Sequence, residues 1–346
     1  MPLLTDPILV FTVLMLTILA APLAAERLRA PDLVLLLIAG AALGPNGAHI
    51  LARDSAVLMF GSVGLLYIMF LAGLEIDLHR FALTRGRSLF FGLLTFIIPQ
   101  GLGTLAGRYL LDFNWTTSVL MASMFASHTL LAYPIAGRLG ISKTEPVSVS
   151  VGATILTDIL ALLVLAVIAD SRRGVSLGLS FWIGILVGIA VFVALTWYGI
   201  PRLSRWFFSR VTETGGAQFL FVLTTVCAFS YLSHYAKMEP IIGAFLAGAA
   251  FNRLIPEHSI LMNRVVFVGN TFFIPMFLIS VGMLVDARAL ASDPKSWLIA
   301  GVMVAAVIAT KAAAAAIAGR LFGYDRDSRR GRSEERRVGK ECRSRW

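Results

Sequence analysis

Asp158 has the clearest capacity for chemistry in this sequence, because it is the only ionisable residue between positions 147 and 169. That apolar segment is long enough to cross a bilayer, since about 20 apolar residues span the hydrocarbon. A carboxylate near the middle of such a segment costs about 2.5–3.5 kcal/mol on the insertion scale. Acids in this position usually face a polar cavity and often mark a path for ions or protons. The alternative is a protonated or paired carboxyl that only packs.

Two hydroxyl groups accompany this carboxylate on the same predicted helix. Thr157 directly precedes Asp158, and Thr154 lies one turn earlier on the same face. An oxygen-rich patch of this kind suits a small, hard cation that must shed its water. The sequence therefore predicts an ion- or proton-binding site at Asp158, with Thr154 and Thr157 as further oxygen ligands.

Lys311 is a second charge at membrane depth, in an alanine-rich segment whose small side chains leave room for another helix to approach. A buried ammonium needs a nearby opposite charge, and Asp158 is the obvious candidate for that partner. The alternative is that the long side chain of Lys311 reaches an interface.

A third polar feature combines Ser127, His128 and Thr129 with Pro134. Proline removes a backbone hydrogen bond, so this helix is expected to be broken or kinked. Carbonyl groups freed at membrane depth are tolerated where they line a cavity, and they can bind cations. The alternative is a kinked helix with satisfied hydroxyls. A histidine such as His128 can titrate near neutrality, although a lone histidine is more often a hydrogen-bonded structural residue.

The elements that position these residues follow from the composition. The chain of 346 residues is 58% hydrophobic and 14% charged, and its mean hydropathy is +0.81, so we expect an all-α, polytopic membrane protein. The net charge of +10 fits basic loops that set membrane topology better than nucleic-acid binding. The sequence contains no metal-ligand spacing, phosphate loop or nucleophile motif, so we expect neither an enzyme nor a cofactor.

Hydropathy predicts eleven membrane segments, and the second and ninth are short and rich in glycine and alanine. The predicted segments are residues 7–25, 32–43, 56–74, 88–105, 117–139, 147–169, 179–197, 217–235, 240–251, 265–284 and 296–318. With the N-terminus outside, the cytosolic loops hold twelve Lys and Arg residues and the external loops hold seven. This bias predicts an external N-terminus.

An internal repeat is visible at an offset of about 208 residues. The sequence AGAA occurs at residues 39–42 and again at 247–250, and AGR occurs at 106–108 and at 318–320. MFLAGLEID at 69–77 recurs with slippage as MFLISVGMLVD at 276–286. An offset of seven helices inverts the second copy, and inverted repeats around a midplane site are the architecture of many secondary transporters.

Together these motifs resemble bacterial monovalent cation:proton antiporters of the sodium/hydrogen exchanger superfamily, in the branch that includes glutathione-gated potassium efflux systems. The resemblance covers about residues 5–325. Its most specific segments are FLAGLEID (70–77), ASHTLLAYP (126–134), TILTD (154–158), IGAFLAG (242–248) and FIPMFLISVG (273–282).

The resemblance implies a homodimer in the bacterial inner membrane, with a core domain that moves against a dimerisation domain. It implies exchange of Na⁺ or K⁺ for protons, contributing to pH homeostasis. The ion-carrying aspartate of the family falls on Asp158, its core-helix lysine on Lys311, and its first broken helix on residues 127–134. A single titrating carboxylate favours one cation per proton, so electroneutral exchange is the hypothesis; a proton carried by Lys311 would be the alternative that makes the exchange electrogenic.

The family pattern also predicts thirteen helices where we count eleven, and the two absent ones would include the second broken helix. Residues 332–346 look like the translation of a common sequencing adapter. We therefore expect residues 1–325 to form a membrane antiporter domain that is incomplete at its C-terminus, 326–331 to be unassigned, and 332–346 to be disordered and foreign to the natural protein.

The sequence is also compatible with two rival functions. A sodium-coupled organic-anion symporter of similar architecture would need a second sodium site and would take up labelled substrate. A membrane sensor without transport, or a non-functional fragment, would give no proton flux after a cation jump.

Overall fold

The computed structural model describes residues 6–28, 32–75, 78–125, 144–172, 179–211, 216–236, 238–256, 259–286 and 294–323. The α-helices over these ranges are α1 (Pro7–Leu28), α2 (Asp32–Leu43), α3 (Ser55–Glu75), α4 (Leu78–Tyr109), α5 (Trp115–Met124), α6 (Glu145–Arg172), α7 (Leu179–Ala194), α8 (Ile200–Phe208), α9 (Ala217–Ser233), α10 (Pro240–Asn252), α11 (Ile260–Val268), α12 (Ile274–Gly282) and α13 (Pro294–Leu321). The all-α prediction is confirmed.

Within these ranges, eight helical spans are long and apolar enough to cross a membrane. They are Pro7–Leu28, Ser55–Glu75, Leu83–Tyr109, Glu145–Leu165, Leu186–Phe208, Ala217–Ala236, Ile260–Gly282 and Trp297–Leu321. The short second and ninth segments are the apolar helices α2 and α10. Only the start of the fifth predicted segment is described, as α5. The chain is a multi-pass membrane protein.

Helix α4 begins at Leu78, ten residues before the predicted start of its membrane segment. Hydropathy marks only the part of a helix that lies in lipid. The polar residues that precede it continue the same helix, because backbone hydrogen bonds within a helix remain satisfied in water as well as in lipid.

Proline explains two breaks in regularity that the hydropathy pattern did not reveal. A π-helical turn, Leu195–Gly199, joins α7 to α8 just before Pro201, and a second, Gly269–Phe273, joins α11 to α12 just before Pro275. Proline has no N–H to donate and its ring crowds the carbonyl four residues earlier. Widening the helix by one residue relieves that crowding.

Contacts divide the chain into two compact units, one of which comprises Met1–Leu74, Phe192–Tyr235 and Pro240–Leu298. Inside this unit α2 packs on α12 through glycine. A Cβ at Gly40 would overlap the carbonyl oxygen of Ile279, and one at Gly44 would lie 3.0 Å from the Cα of Met283. Small residues let helix backbones approach this closely. Because the contact advances four residues along both helices, α2 and α12 run parallel.

The same contact occurs a second time between α3 and α10. A Cβ at Gly248 would overlap the carbonyl oxygen of Phe70, and the Asn252 side-chain amide donates a hydrogen bond to the carbonyl of Leu74. Each of these four residues lies about 208 positions from its counterpart in the α2–α12 contact. The internal repeat predicted from sequence is therefore also a repeat of backbone contacts.

The direction of the helices establishes that the repeat is inverted. Gly61 of α3 faces Ser280 of α12, and Gly64 faces Phe277, so these two helices run antiparallel. Helix α12 is the repeat counterpart of α3, and the two counterparts therefore point in opposite directions. This confirms the inversion for these elements.

The second unit comprises Glu75–Val191, Ala236–Glu239 and Ile299–Trp346, and it contains α4, α5, α6 and most of α13. Gly92 brings α4 against α6, where a Cβ would lie 2.9 Å from Leu156 and 3.1 Å from the carbonyl oxygen of Ala153. Gly107 brings α4 against Met121 of α5. This close α4–α6 packing brings Thr95 of α4 to the same cavity as Thr154 and Thr157 of α6.

Replacing Gly248 with alanine is expected to destabilise the protein by about 1–3 kcal/mol, because the new methyl group must displace the Phe70 carbonyl. Thermal unfolding in detergent measures the change. Gly101→Ala is the matched control, since a Cβ there meets no atom within 4 Å. We expect the control to be neutral or slightly stabilising. Equal midpoints for the two variants would contradict the close contact.

Candidate ion-binding site

Asp158 lies within α6 and is buried, with 3% of its surface exposed. Thr154 and Thr157 are equally buried, at 4% and 2%. The Thr154 hydroxyl donates to the carbonyl of Ser150 at 2.9 Å, and the Thr157 hydroxyl donates to the carbonyl of Thr154 at 2.9 Å. The helical period therefore brings the three predicted oxygen-bearing residues together, away from lipid.

These hydrogen bonds determine what the threonines offer to an ion. A hydroxyl has one proton to donate and two lone pairs that accept. Both protons are used on the backbone of α6, so each side-chain oxygen keeps lone pairs for another partner. This arrangement suits a cation, which needs oxygen acceptors.

Three helices of the second unit enclose a cavity of about 180 Å³ beside these threonines. Its polar lining comes from Thr95 of α4, from Ser150, Thr154 and Thr157 of α6, and from Lys311 of α13. The hydroxyl of Thr95 also donates to its own helix, at 2.8 Å from the Phe91 carbonyl. The cavity walls therefore carry several hydroxyl oxygens and one ammonium.

Lys311 is half-buried on α13, and the charge of Asp158 acts on it. Among the neighbouring alanines, Ala314 and Ala318 are buried and Ala315 lines the cavity. The predicted pairing of Asp158 with Lys311 is thus compatible with the electrostatics. In a membrane interior, such a pair lowers the cost of burying either charge.

A second cavity, of about 520 Å³, shares Phe91, Ser150 and Ala315 with the first. It extends to Pro146 near the start of α6 and to Phe322 just after α13. At this end Arg87 forms an ion pair with Glu145, and its guanidinium lies 5.8 Å from the centre of the Phe322 ring. The two cavities are therefore neighbours along α4, α6 and α13, and the second is lined by fewer polar residues.

The predicted broken-helix residues Ser127, His128, Thr129 and Pro134 lie outside the described residues, so their role stays a prediction.

Sequence reasoning missed Ser150 and Thr95. Ser150 lies one turn before Thr154, and helical periodicity alone would have found it. Thr95 is on another helix, and no local pattern links it to Asp158. Among the residues the structure describes, no cluster of three His, Cys or acidic groups could hold a metal ion.

Comparison with known proteins gives a consistent result. The family profile described as "Sodium/hydrogen exchanger, transmembrane" matches residues 12–331. The Na⁺/H⁺ antiporter NhaS5 of Synechocystis is 42% identical over 325 residues, which are 93% of this chain and 46% of that protein. A probable Na⁺/H⁺ antiporter 3 of Methanocaldococcus jannaschii is 29% identical over 321 residues, or 92% of this chain and 81% of that protein. This chain thus spans about half the length of the first relative.

A solved structure has the same fold. The sodium proton antiporter MjNhaP1 from Methanocaldococcus jannaschii aligns with a TM-score of 0.61, covering 93% of this chain and 81% of that chain at 16% identity. At this identity the likeness concerns the helical architecture alone.

The coupling of Asp158 to Lys311 predicts that their substitutions are not additive. Asp158→Asn and Lys311→Gln, singly and together, should give free energies of unfolding that depart from additivity by about 0.5–3 kcal/mol. Each single change leaves the other charge without its nearby opposite, and the double change removes both. Denaturant titration in detergent micelles measures the cycle.

The matched control pairs Asp158→Asn with Arg320→Gln, an exposed residue near the end of the same helix as Lys311. That pair should be additive within about 0.5 kcal/mol. Additivity of the Asp158–Lys311 pair itself would show that the two charges do not interact.

Proposed function

We propose a transport function from one premise: the chain belongs to the sodium/hydrogen exchanger family. We propose that it is a secondary active antiporter that exchanges a monovalent cation, Na⁺ or K⁺, for a proton. The observation that carries the proposal is the buried carboxylate of Asp158, flanked by buried threonine oxygens beside a cavity that Lys311 also lines.

The mechanism is competition for one carboxylate. Asp158 binds either a proton or the cation, because both neutralise the same charge. When the cation binds, the side-chain oxygens of Thr154 and Thr157 replace part of its water shell. Their hydroxyl protons remain on the helix backbone, so neither threonine points a proton at the ion. When the carboxylate is empty, the ammonium of Lys311 stabilises its negative charge.

Exchange requires Asp158 to reach each side of the membrane in turn, and it must do so only when it is neutralised. A bare carboxylate is costly at membrane depth, whereas a protonated or cation-bound one is not. This difference in cost couples the two fluxes. With one titrating carboxylate, one proton replaces one monovalent cation and the exchange is electroneutral.

The assembly and location belong to the same proposal. We propose a homodimer in the bacterial inner membrane with its N-terminus outside. The excess of Lys and Arg in the loops on one side supports this orientation. The relatives' names support Na⁺ as a substrate, and the hydroxyl and carboxylate oxygens of the site are compatible with Na⁺ or K⁺.

Asp158→Asn is expected to reduce cation-dependent proton flux to the background of empty vesicles. The amide neither titrates nor carries the charge for which the proton and the cation compete. Proteoliposomes loaded with a pH-sensitive dye and subjected to a Na⁺ or K⁺ jump measure the flux. Asp54→Asn is the control, because Asp54 is exposed and caps the start of α3 through the amide of Val57. Retained flux in Asp158→Asn would refute the assignment.

Thr154→Val keeps the shape of the side chain and removes one oxygen. We expect the apparent KM for the cation to rise about tenfold, in line with the loss of about 1.5 kcal/mol for one hydrogen-bond-like contact to a charged group. The maximal rate should change less. Initial rates over a range of cation concentrations separate the two effects.

Thr225→Val is the matched control, since Thr225 is also buried and donates to its own helix, at 2.8 Å from the Phe221 carbonyl. Its KM should stay that of the parent protein. An unchanged KM in Thr154→Val would remove this residue from the proposed ligands.

A further inference from the structure

Arginine and aromatic side chains form a cleft that the ion-binding site does not use. The cleft has a volume of about 450 Å³ and is lined by Trp197, Tyr198, Pro201, Arg202 and Arg205. We call these five residues the arginine–aromatic cleft. It lies within the first unit, in the part of the chain where the span Leu186–Phe208 ends.

Local structure fixes the arginines of the cleft. Ile200 and Ser204 form the buried face of α8, which leaves Arg202 and Arg205 on the exposed face. The Arg202 guanidinium donates to the Tyr198 carbonyl at 3.2 Å, and Nε of Arg205 donates to the Pro201 carbonyl at 3.1 Å. These bonds hold both guanidinium groups against the helix while leaving their other N–H groups available.

Two further arginines lie against tryptophan rings, and one of these rings lines the cleft. The guanidinium of Arg253, at the end of α10, lies 4.8 Å from the ring centre of Trp197. That of Arg210 lies 4.6 Å from the ring centre of Trp206. Stacking on a ring holds a guanidinium in place without neutralising its charge.

The charge of this cluster is not balanced by acids in the described part of the chain. None of the four arginines forms an ion pair with a described carboxylate, and all four are exposed. Guanidinium groups that pair with no described acid create a local attraction for an anion. Guanidinium also matches phosphate geometry, since its N–H groups can bind two oxygens at once.

The aromatic residues indicate the depth of the cleft in the membrane. Tryptophan and tyrosine concentrate at the level of lipid headgroups, where one end of the ring is apolar and the other is wet. Tyr198 and Trp206 are largely exposed, as is Leu203 between them. The cleft therefore combines a positive charge with an apolar rim at the end of a membrane span.

We propose that the arginine–aromatic cleft binds the phosphate headgroup of an anionic phospholipid. Arg202 and Arg205 bind the phosphate oxygens, and Arg210 and Arg253 add attraction. Trp197 and Tyr198 pack against the glycerol and the upper acyl chain. Basic pockets beside membrane helices are suited to such headgroups. The site is independent of the proposed antiport chemistry.

Fluorescence quenching by brominated lipids tests this proposal in nanodiscs that contain the full chain. Trp197 and Trp206 act as reporters, and Trp197→Phe/Trp206→Phe supplies the background from the other tryptophans. We expect brominated phosphatidylglycerol to quench the reporters at a mole fraction about tenfold lower than brominated phosphatidylcholine does. Equal quenching by the two lipids would overturn the proposal.

Arg202→Gln/Arg205→Gln should remove the preference for phosphatidylglycerol. Arg85→Gln/Arg320→Gln, which removes two exposed arginines outside the cluster, should keep it. Equal loss in both double variants would show general charge attraction and overturn the site. Arg202→Lys/Arg205→Lys controls for folding, because it keeps the charge and should retain most of the preference.

If 10-fold excess inorganic phosphate over lipid abolishes the preference in the parent protein, the cleft binds soluble anions and the lipid proposal fails.

Discussion

The free-energy cost of removing one carboxylate from water determines which groups must surround it in this molecule. Asp158 is almost fully removed from water inside an apolar helix, and an isolated charge there is among the most expensive groups a protein can hold. The ammonium of Lys311 offsets part of this cost, because the opposite charges of Lys311 and Asp158 act on each other. In the proposed mechanism, binding of a proton or a cation neutralises the rest of the charge. The burial of Asp158 is tolerable only if its charge is neutralised, and the proposed binding of a proton or a cation supplies that neutralisation.

The close packing of α4 on α6 allows the oxygens to act together. Gly92 removes a side chain at the point where Thr95 and the threonines of α6 approach a shared cavity. Because every described hydroxyl there donates to its own helix, the wall is stiff and presents acceptors. A wall of hydroxyls with free protons would favour anions equally well. In the proposed antiporter, engaging those protons on the helix backbone would favour cations over anions, and the size of the cavity would then discriminate between cations.

The sequence predicted those parts of this site that share a helix or a charge. Asp158 and its threonines follow from helical periodicity, and Lys311 follows from the need of one buried charge for another. Thr95 could not be predicted, because contacts between helices depend on backbone geometry that no local pattern records. The π-helical turns before Pro201 and Pro275 could be predicted in part. A proline indicates that the helix is irregular at that point, but it does not indicate which irregular geometry forms. The inverted repeat can be recognised in the sequence because glycines that form helix–helix contacts recur at the same offset.

The glycine contacts of the first unit oppose sliding of one helix along the next. At Gly40, Gly248 and Gly73 the hydrogen that takes the place of a Cβ points at a carbonyl oxygen of the facing helix. This is the geometry of a Cα–H···O hydrogen bond, which is worth about 0.5–1 kcal/mol. Lipid supplies no hydrophobic drive for helices to associate, so such directional bonds fix the register. A shift of one residue along either helix would lose the bond and insert a side chain in its place, so these helices can move only as a block.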